Sequence, residues 1–249
     1  MIEVSGLTKR YGDFTAVRAL SFTVRPGEVA GLVGPNGAGK TTTLRCAAGI
    51  IPPTLGTVHI AGIDLAADPV TAKRHLAFLP DEPKLFEHLT VEQHLNFVAR
   101  VYGVADWRDR AGPLLAELEM DDKRGLLPGE LSRGMKQKLV IACGLLHAPK
   151  VVFFDEPLTG LDPGGIRRMK ETMRRLAREG AALILSSHLL SLLDEVCTHV
   201  VILKAGEKVA DGAIPDIRAR YAVQPDASLE DVFFRATEEP PAMEPPAGP

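Results

Sequence analysis

The sequence has few cysteines, few aromatic residues and no long hydrophobic run. Its three cysteines, Cys46, Cys143 and Cys197, are widely spaced, so they form neither a disulfide framework nor a metal-binding knuckle, and we interpret them as buried thiols in a reducing cytosol. No apolar run reaches the roughly 18 residues that a membrane-spanning helix needs. Residues 1–6 have neither the basic nor the apolar region of a signal peptide. We expect a soluble, cytoplasmic protein that reaches a membrane only through a partner.

An excess of charge of one sign is also absent. The 29 basic residues are balanced by 32 acidic residues, which gives a net charge of -3. This balance excludes a general basic face, and we expect no nucleic-acid partner. The 249 residues are 45% hydrophobic, which is typical of a globular chain that builds a large core without disulfides.

Short apolar runs and longer helical patterns alternate along much of the chain. Unbroken apolar runs without alternation indicate strands covered on both faces, as in a parallel sheet flanked by helices. The predicted strands are 28–33, 75–79, 151–154 and 182–185. Helices are predicted at 40–48, which Gly49 ends, and at 162–178, where Asp162 caps the first turn and Gly180 follows the last.

The middle third of the chain differs because it contains no convincing strand. A capping box at Thr90 opens a helix that runs to about Tyr102. Further helices are predicted at 113–120 and 132–147, so a helical insertion interrupts the α/β domain. A late hairpin is predicted from 200–203 and 208–210, separated by 205–207. The last twelve residues, 238–249, contain five prolines and three glutamates, and we expect them to be disordered.

One segment matches the phosphate-binding loop pattern GxxxxGK[ST]. Its glycines let backbone N–H groups turn towards phosphate oxygens, Lys40 places its charge on the β- and γ-phosphates, and the Thr41 hydroxyl can bind Mg²⁺. A predicted strand precedes the loop and a predicted helix follows it, which disfavours the alternative of a chance match in a glycine-rich turn. The predicted nucleotide-binding residues here are Gly34, Pro35, Asn36, Gly37, Ala38, Gly39, Lys40, Thr41 and Thr42.

A pair of carboxylates ends the predicted strand 151–154. Parallel strands end at one edge of the sheet, where the phosphate loop also lies. We expect Asp155 to hold Mg²⁺, and Glu156 to orient and deprotonate the attacking water. The alternative is a solvated turn, since Asp-Glu-Pro commonly opens a loop.

These motifs follow one another in an order that resembles the nucleotide-binding subunit of an ABC transporter over residues 1–212. The motifs that carry the resemblance are the phosphate loop 34–41, the helical insertion, Leu-Ser-Arg-Gly-Met at 131–135, the acidic pair 155–156, Thr-Gly-Leu-Asp at 159–162 and Ser-Ser-His at 186–188. The resemblance implies an α/β fold: a P-loop NTPase core with a mostly parallel sheet, an N-terminal antiparallel β subdomain and an α-helical insertion. It divides the domain into a core of 1–87 and 149–212 and a helical subdomain of 88–148, followed by a helical extension at 213–237.

The resemblance also implies roles for residues outside the phosphate loop. Tyr11 matches the aromatic residue that stacks on adenine. Ser132 and Gly134 match the signature motif, which contacts ATP held by the opposite subunit of a head-to-tail dimer. Asp162 matches the loop that touches the opposite site. His188 matches the histidine that contacts the γ-phosphate and helps to hold the attacking water.

The sequence departs from the family pattern at three positions. Asp81 stands where the family usually has a glutamine that contacts Mg²⁺ and water, so an oxygen ligand is kept but a charge is added. Arg133 and Met135 replace the usual glycine and glutamine of the signature motif. These two residues and the segment 228–233 look like exporters whose membrane subunits are of the ABC-2 type.

The sequence therefore predicts an ATPase subunit that powers transport, with ATP and Mg²⁺ as cofactors. Its expected partners are a separately encoded membrane permease and a second copy of itself or a homologous ATPase subunit. We expect it at the cytoplasmic face of the membrane. One alternative is a soluble ABC-type ATPase that acts on a non-membrane partner, although this chain has neither a second such domain nor a long coiled-coil insertion. Another is an unrelated phosphate-loop kinase, which would lack the segment 131–135 and the late His188.

Overall fold

The computed structural model describes residues 1–158, 160–187, 189–221 and 227–238. Within these ranges, the β-strands are β1 Ile2–Tyr11, β2 Phe14–Val24, β3 Val29–Val33, β4 Leu55–Ile60, β5 Ile63–Asp64, β6 Leu76–Leu79, β7 Val151–Asp155, β8 Ala182–Ser186, β9 His199–Lys204 and β10 Glu207–Ala213. The α-helices in the same ranges are α1 Lys40–Ala47, α2 Pro69–Arg74, α3 Val91–Tyr102, α4 Trp107–Glu117, α5 Arg133–Leu145, α6 Pro163–Arg178, α7 Leu190–Val196, α8 Ile214–Tyr221 and α9 Leu229–Glu238.

A six-stranded sheet forms the centre of the protein, in the order β10-β9-β3-β8-β7-β6. All neighbours pair in parallel except β10, which forms an antiparallel hairpin with β9. Alternate residues of β7 enter two separate hydrophobic cores. Val152 and Phe154 pack into the core that includes α3, α5 and α6, while Val151 and Phe153 pack into the core on the other face. The predicted parallel sheet, covered on both faces, is confirmed.

The second sheet contains β2, β1, β4 and β5, and all of its pairs are antiparallel. It packs its apolar face on the core below the central sheet, through residues such as Ile2, Leu7, Leu20 and Ile60. This is the antiparallel N-terminal unit that the resemblance implied.

The segment between β6 and β7 is helical, and one of its predicted helices is wrong in its bounds. The sequence predicted 113–120, but α4 runs from Trp107 to Glu117 with Pro113 inside it. Trp107, Ala111 and Leu115 are buried at four-residue spacing, and burial of this stripe outweighs the cost of an internal proline, about 3 kcal/mol. The capping boxes and caps predicted elsewhere are confirmed: Thr90 caps α3, and Ser132 caps α5.

The C-terminal region forms α8 and α9, which contact each other and the hairpin of β9 and β10. Glu238, which the sequence assigned to the tail, is the last residue of α9. Residues 239–249, the rest of the predicted tail, lie outside the described residues. In the part of the chain that is described, no helix combines the length and the apolar character needed to cross a bilayer.

Candidate functional site

Several of the predicted site residues lie at one edge of the central sheet. β3, β8, β7 and β6 are parallel neighbours, so their carboxyl ends lie together. The phosphate loop follows β3, Asp155 ends β7, and Asp81 follows β6 within two residues. Ser186, which the sequence did not single out as a site residue, ends β8 between the phosphate loop and Asp155.

The phosphate loop is packed so closely that two of its glycines admit no side chain. A Cβ on Gly34 would lie 2.6 Å from the carbonyl oxygen of Leu203, and one on Gly39 would lie 2.6 Å from that of Ala16. Gly39 also has a φ of 98°, which favours glycine. The loop is therefore fixed against β2 and β9 before any ligand arrives, and α1 begins directly after it.

Lys40 lies at the start of α1 and points back over the loop. Its Nζ donates to the carbonyl oxygens of Gly34 at 2.7 Å and Pro35 at 3.1 Å. Burial lowers the pKa of Lys40, while the nearby carboxylates of Glu156 and Asp155 act in the opposite direction. The ammonium group thus lies on the loop within electrostatic reach of the acidic pair, where a phosphate chain could replace the two carbonyl contacts.

Asp155 is buried, with 4% of its surface exposed, and its Oδ1 accepts two side-chain hydrogen bonds. The Ser186 hydroxyl donates at 2.8 Å and the Thr41 hydroxyl at 3.2 Å. A buried carboxylate beside a threonine hydroxyl at a phosphate loop fits Mg²⁺, which proteins bind through one or two carboxylates together with substrate phosphates. The structure brings together Thr41 and Asp155, both of which were predicted as metal-site residues.

Glu156 follows Asp155 in the left-handed region, with a φ of 51°. Its N–H donates to the carbonyl oxygen of Ser186 at 3.2 Å, which turns the chain away from β7. Non-glycine residues in this region are strained and cluster at functional sites. Both Glu156 and Thr41 line a cleft of about 790 Å³ that runs beside the phosphate loop.

Asp81 lines the same cleft. Its Oδ1 is shielded from solvent and accepts no hydrogen bond from the described residues. A shielded carboxylate oxygen without a hydrogen bond is suited to act as a ligand for a bound cation. The Nη2 of Arg133 lies 3.9 Å from that oxygen.

Three further predicted site residues, Ser132, Gly134 and Asp162, are not among the residues that line this cleft. The Ser132 hydroxyl caps α5 by accepting from the Met135 N–H at 3.2 Å, and Asp162 caps α6. Gly134 lies against the carbonyl oxygen of Gly160, which a Cβ on Gly134 would approach to 2.9 Å. Ser132 and Asp162 are exposed, whereas Gly134 is half-buried.

Tyr11 is exposed to 50% at the tip of the hairpin of β1 and β2. Lys9 lies over one face of its ring, 5.0 Å from the centroid. Lys9 pairs with Val17 across the hairpin, and a Cβ on Gly39 of the phosphate loop would lie 3.3 Å from Cγ2 of Val17. Tyr11 is thus an exposed aromatic ring at the tip of a hairpin whose other strand reaches the loop. His188, the other predicted catalytic residue, lies outside the described residues.

Comparisons with known proteins agree with this geometry. The family model described as "ABC transporter" matches residues 17–159, more than half of the chain. The ABC-type transporter ATP-binding protein EcsA of Bacillus subtilis is 34% identical over 96% of this chain and 97% of its own length. The Nod factor export ATP-binding protein I of Burkholderia orbicola is 36% identical over 85% of this chain and 70% of its own length.

Two further comparisons extend the likeness. The probable multidrug ABC transporter ATP-binding protein YbhF of Escherichia coli is 33% identical over 94% of this chain, which spans 41% of that longer protein. A solved structure described as the ATP binding subunit of an ABC transporter superposes with a TM-score of 0.91, at 36% identity, over 95% of this chain and 99% of its own. Because fold, motif order and full-length relatives all agree, the chain belongs to the family of ABC transporter ATP-binding subunits.

Proposed function

We propose that this subunit hydrolyses ATP with Mg²⁺ to drive export through a membrane-spanning permease, to which it docks at the cytoplasmic face of the membrane. The observation that carries the proposal is the shape of the cleft. One continuous cleft includes Thr41, Asp155 and Glu156 at one end and Phe86 and Phe97 at the other. ATP hydrolysis at the phosphate end would therefore occur next to an exposed aromatic surface that a partner can bind.

The described residues supply the parts that hydrolysis needs. Lys40 and the loop N–H groups hold the β- and γ-phosphates, and Thr41 and Asp155, with Asp81 beside them, would hold the metal. When bound, Mg²⁺ neutralises charge on the phosphate oxygens. Glu156 accepts a proton from water as the water oxygen bonds to the γ-phosphorus and the bond to the ADP oxygen breaks. His188 is assigned to the γ-phosphate by the resemblance alone.

We further propose a head-to-tail dimer with a second copy or a homologous subunit. Ser132 and Asp162 are exposed, and with Gly134 they lie away from the chain's own cleft. The N-terminus of α5 presents its positive dipole end beside Ser132, which suits a phosphate. The exposure of Ser132 and Asp162 supports their proposed contact with ATP held by another chain.

The aromatic end of the cleft is the proposed docking surface for the permease. Its large apolar side chains are exposed: 55% for Phe86, 45% for Phe97 and 52% for Ile50. Phe86 and Phe97 meet edge to face, with ring centroids 5.1 Å apart. Exposed aromatic clusters at a cleft mark interaction sites. Export rather than import is proposed because of Arg133, Met135 and the segment 228–233, and because relatives carry the words "export" and "multidrug" in their names.

Affinity purification of the tagged full chain from native membranes tests the proposal. We expect a protein with several apolar spans to co-purify with the wild type and with Phe234→Asp, and to be lost with Phe97→Asp. Phe234 is a matched control because it is also exposed, to 51%, but lies on α9. ATP binding by the isolated chain should be equal in all three proteins. Recovery of a soluble partner in place of a membrane protein would contradict the transport role.

A further inference from the structure

Two of the residues that depart from the family pattern are neighbours in space. Asp81 follows β6 at the phosphate edge of the sheet, and Arg133 is the first residue of α5. The guanidinium Nη2 lies 3.9 Å from Oδ1 of Asp81, the carboxylate oxygen that accepts no hydrogen bond from the described residues. An added negative charge at one motif thus faces an added positive charge at another.

The approach of these two residues is fixed by the helix that carries Arg133. Gln137 lies one turn further along α5, on the same face, and is almost completely buried. Its Nε2 donates to the carbonyl oxygen of Pro80 at 3.2 Å. The stem of Arg133 also runs beside Gly160, where a Cβ would lie 3.2 Å from Cδ of the arginine. One face of α5 therefore holds the segment 80–81 by a neutral hydrogen bond and by an ion pair.

The other acidic residues of the cleft explain why the charge of Asp81 needs a compensating cation. Asp81, Asp155 and Glu156 line the same cleft, and the Lys40 ammonium group donates to the carbonyl oxygens of Gly34 and Pro35 in the loop. A third carboxylate beside a triphosphate repels it unless a cation compensates the charge. A glutamine at position 81 would need no such cation, whereas an aspartate does.

We propose that Arg133 is a positioning residue for ATP hydrolysis that acts through Asp81, compensating its charge and holding it against α5. This inference rests on the proposed function, because it assumes that MgATP binds at the phosphate loop. Arg133 directly follows Ser132, so a ligand that moves the first turn of α5 also moves the group that holds Asp81. The ion pair thereby connects the exposed signature residues with the chain's own metal site.

A double-mutant cycle on the full chain tests the pair. Arg133→Gln leaves the Asp81 carboxylate uncompensated, and we expect the KM for MgATP to rise by roughly two- to fivefold, as for a partly exposed pair. Asp81→Asn together with Arg133→Gln removes both charges, and the KM should return towards that of Asp81→Asn alone. Arg133→Lys, which keeps the charge, should retain most of the wild-type value. The coupling should shrink in about 0.5 M NaCl, because salt screens exposed charges.

The control is Arg167→Gln, since Arg167 forms another exposed ion pair, with Glu171 on α6, and its loss should leave the KM unchanged. Strictly additive effects of the two substitutions, or a coupling that salt does not reduce, would overturn the inference. Failure of the proposed function would give a different experimental result. If Lys40→Ala binds MgATP as tightly as the wild type, the nucleotide site itself is misassigned. If Lys40→Ala loses binding while the cycle is additive, only the role of Arg133 is wrong.

Discussion

The hydroxyl of Ser186 donates to Oδ1 of Asp155 over 2.8 Å, and both side chains are almost fully buried. The two residues are directly paired where β7 and β8 end. Because Oδ1 also accepts from Thr41, the carboxylate is held in one orientation with its other oxygen available. Ser186 is thus a supporting residue of the proposed metal site.

Replacing Ser186 by alanine should weaken the dependence of activity on the metal without unfolding the protein. The lost hydrogen bond to a charged group is worth about 1.5–3 kcal/mol, so the Mg²⁺ concentration for half-maximal ATP hydrolysis should rise roughly ten- to a hundredfold. Ser187→Ala is the matched control, because the Ser187 hydroxyl accepts from the N–H of Leu189 instead of donating to Asp155. An unchanged Mg²⁺ titration for Ser186→Ala would remove the residue from the site.

Lys40→Ala should abolish tight ATP binding. It removes the ammonium group that lies over the phosphate loop, and two carbonyl oxygens, those of Gly34 and Pro35, then face the triphosphate without compensation. Isothermal titration calorimetry with ATP and Mg²⁺ measures the loss directly. Affinity equal to that of the wild type would contradict the assignment of the loop.

The three thiols should be almost unreactive in the folded protein. Cys46 is buried as the sequence predicted, whereas Cys143 and Cys197 are only half-buried, and all three are free. Burial raises the pKa of Cys46 to about 11 and that of Cys143 to about 12, and it raises the pKa of Cys197, to which Asp194 adds. The thiolate is the reactive form, so at about pH 8 less than roughly one molecule in a thousand presents it at Cys46 or Cys143.

Titration with an aromatic disulfide reagent checks this expectation. The native chain should react slowly, and the chain unfolded in guanidinium should release all three equivalents at once. Rapid reaction of a single thiol in the native protein would identify a cysteine whose surroundings are more polar than the structure indicates.

Sequence alone suffices to propose the residues of the phosphate site, because their chemistry is local. The glycine pattern, Lys40 and Thr41 follow from phosphate geometry, and strand ends placed Asp155 at the same edge of the sheet. The caps at Thr90, Ser132 and Asp162 were equally readable, since a cap is set by residues three positions apart. The phosphate loop and the helix caps are each defined by a pattern only a few residues long, so a single sequence is enough to predict them.

Long-range pairing could not be read in the same way. Ser186 meets Asp155 only because β8 lies between β3 and β7 in the sheet, and a single sequence does not give strand order. The contact of Arg133 with Asp81 depends on how α5 packs against β6. The bounds of α4 were missed because Pro113 was taken as a helix start, although the buried spacing of Trp107, Ala111 and Leu115 was visible in the sequence.

A substitution at Glu156 tests both the proposed hydrolysis and the proposed dimer. Glu156→Gln keeps the size of the side chain but cannot accept a proton from water, so hydrolysis should fall by about two to four orders of magnitude. ATP binding should survive because Lys40, Thr41 and Asp155 remain. The ATP-bound dimer should then accumulate, and Ser132→Arg added to this variant should prevent it by placing a bulky cation where Ser132 would meet the opposite ATP.

Size-exclusion chromatography of Glu156→Gln with ATP and Mg²⁺, run beside its ATPase assay, therefore tests the central claim most directly. We expect an inactive protein that elutes as a dimer, a wild type that elutes mainly as a monomer, and a monomer again when Ser132→Arg is added. Normal hydrolysis by Glu156→Gln would contradict its role as general base. An inactive Glu156→Gln that binds ATP yet stays monomeric, alone and with its membrane partner, would contradict the head-to-tail dimer.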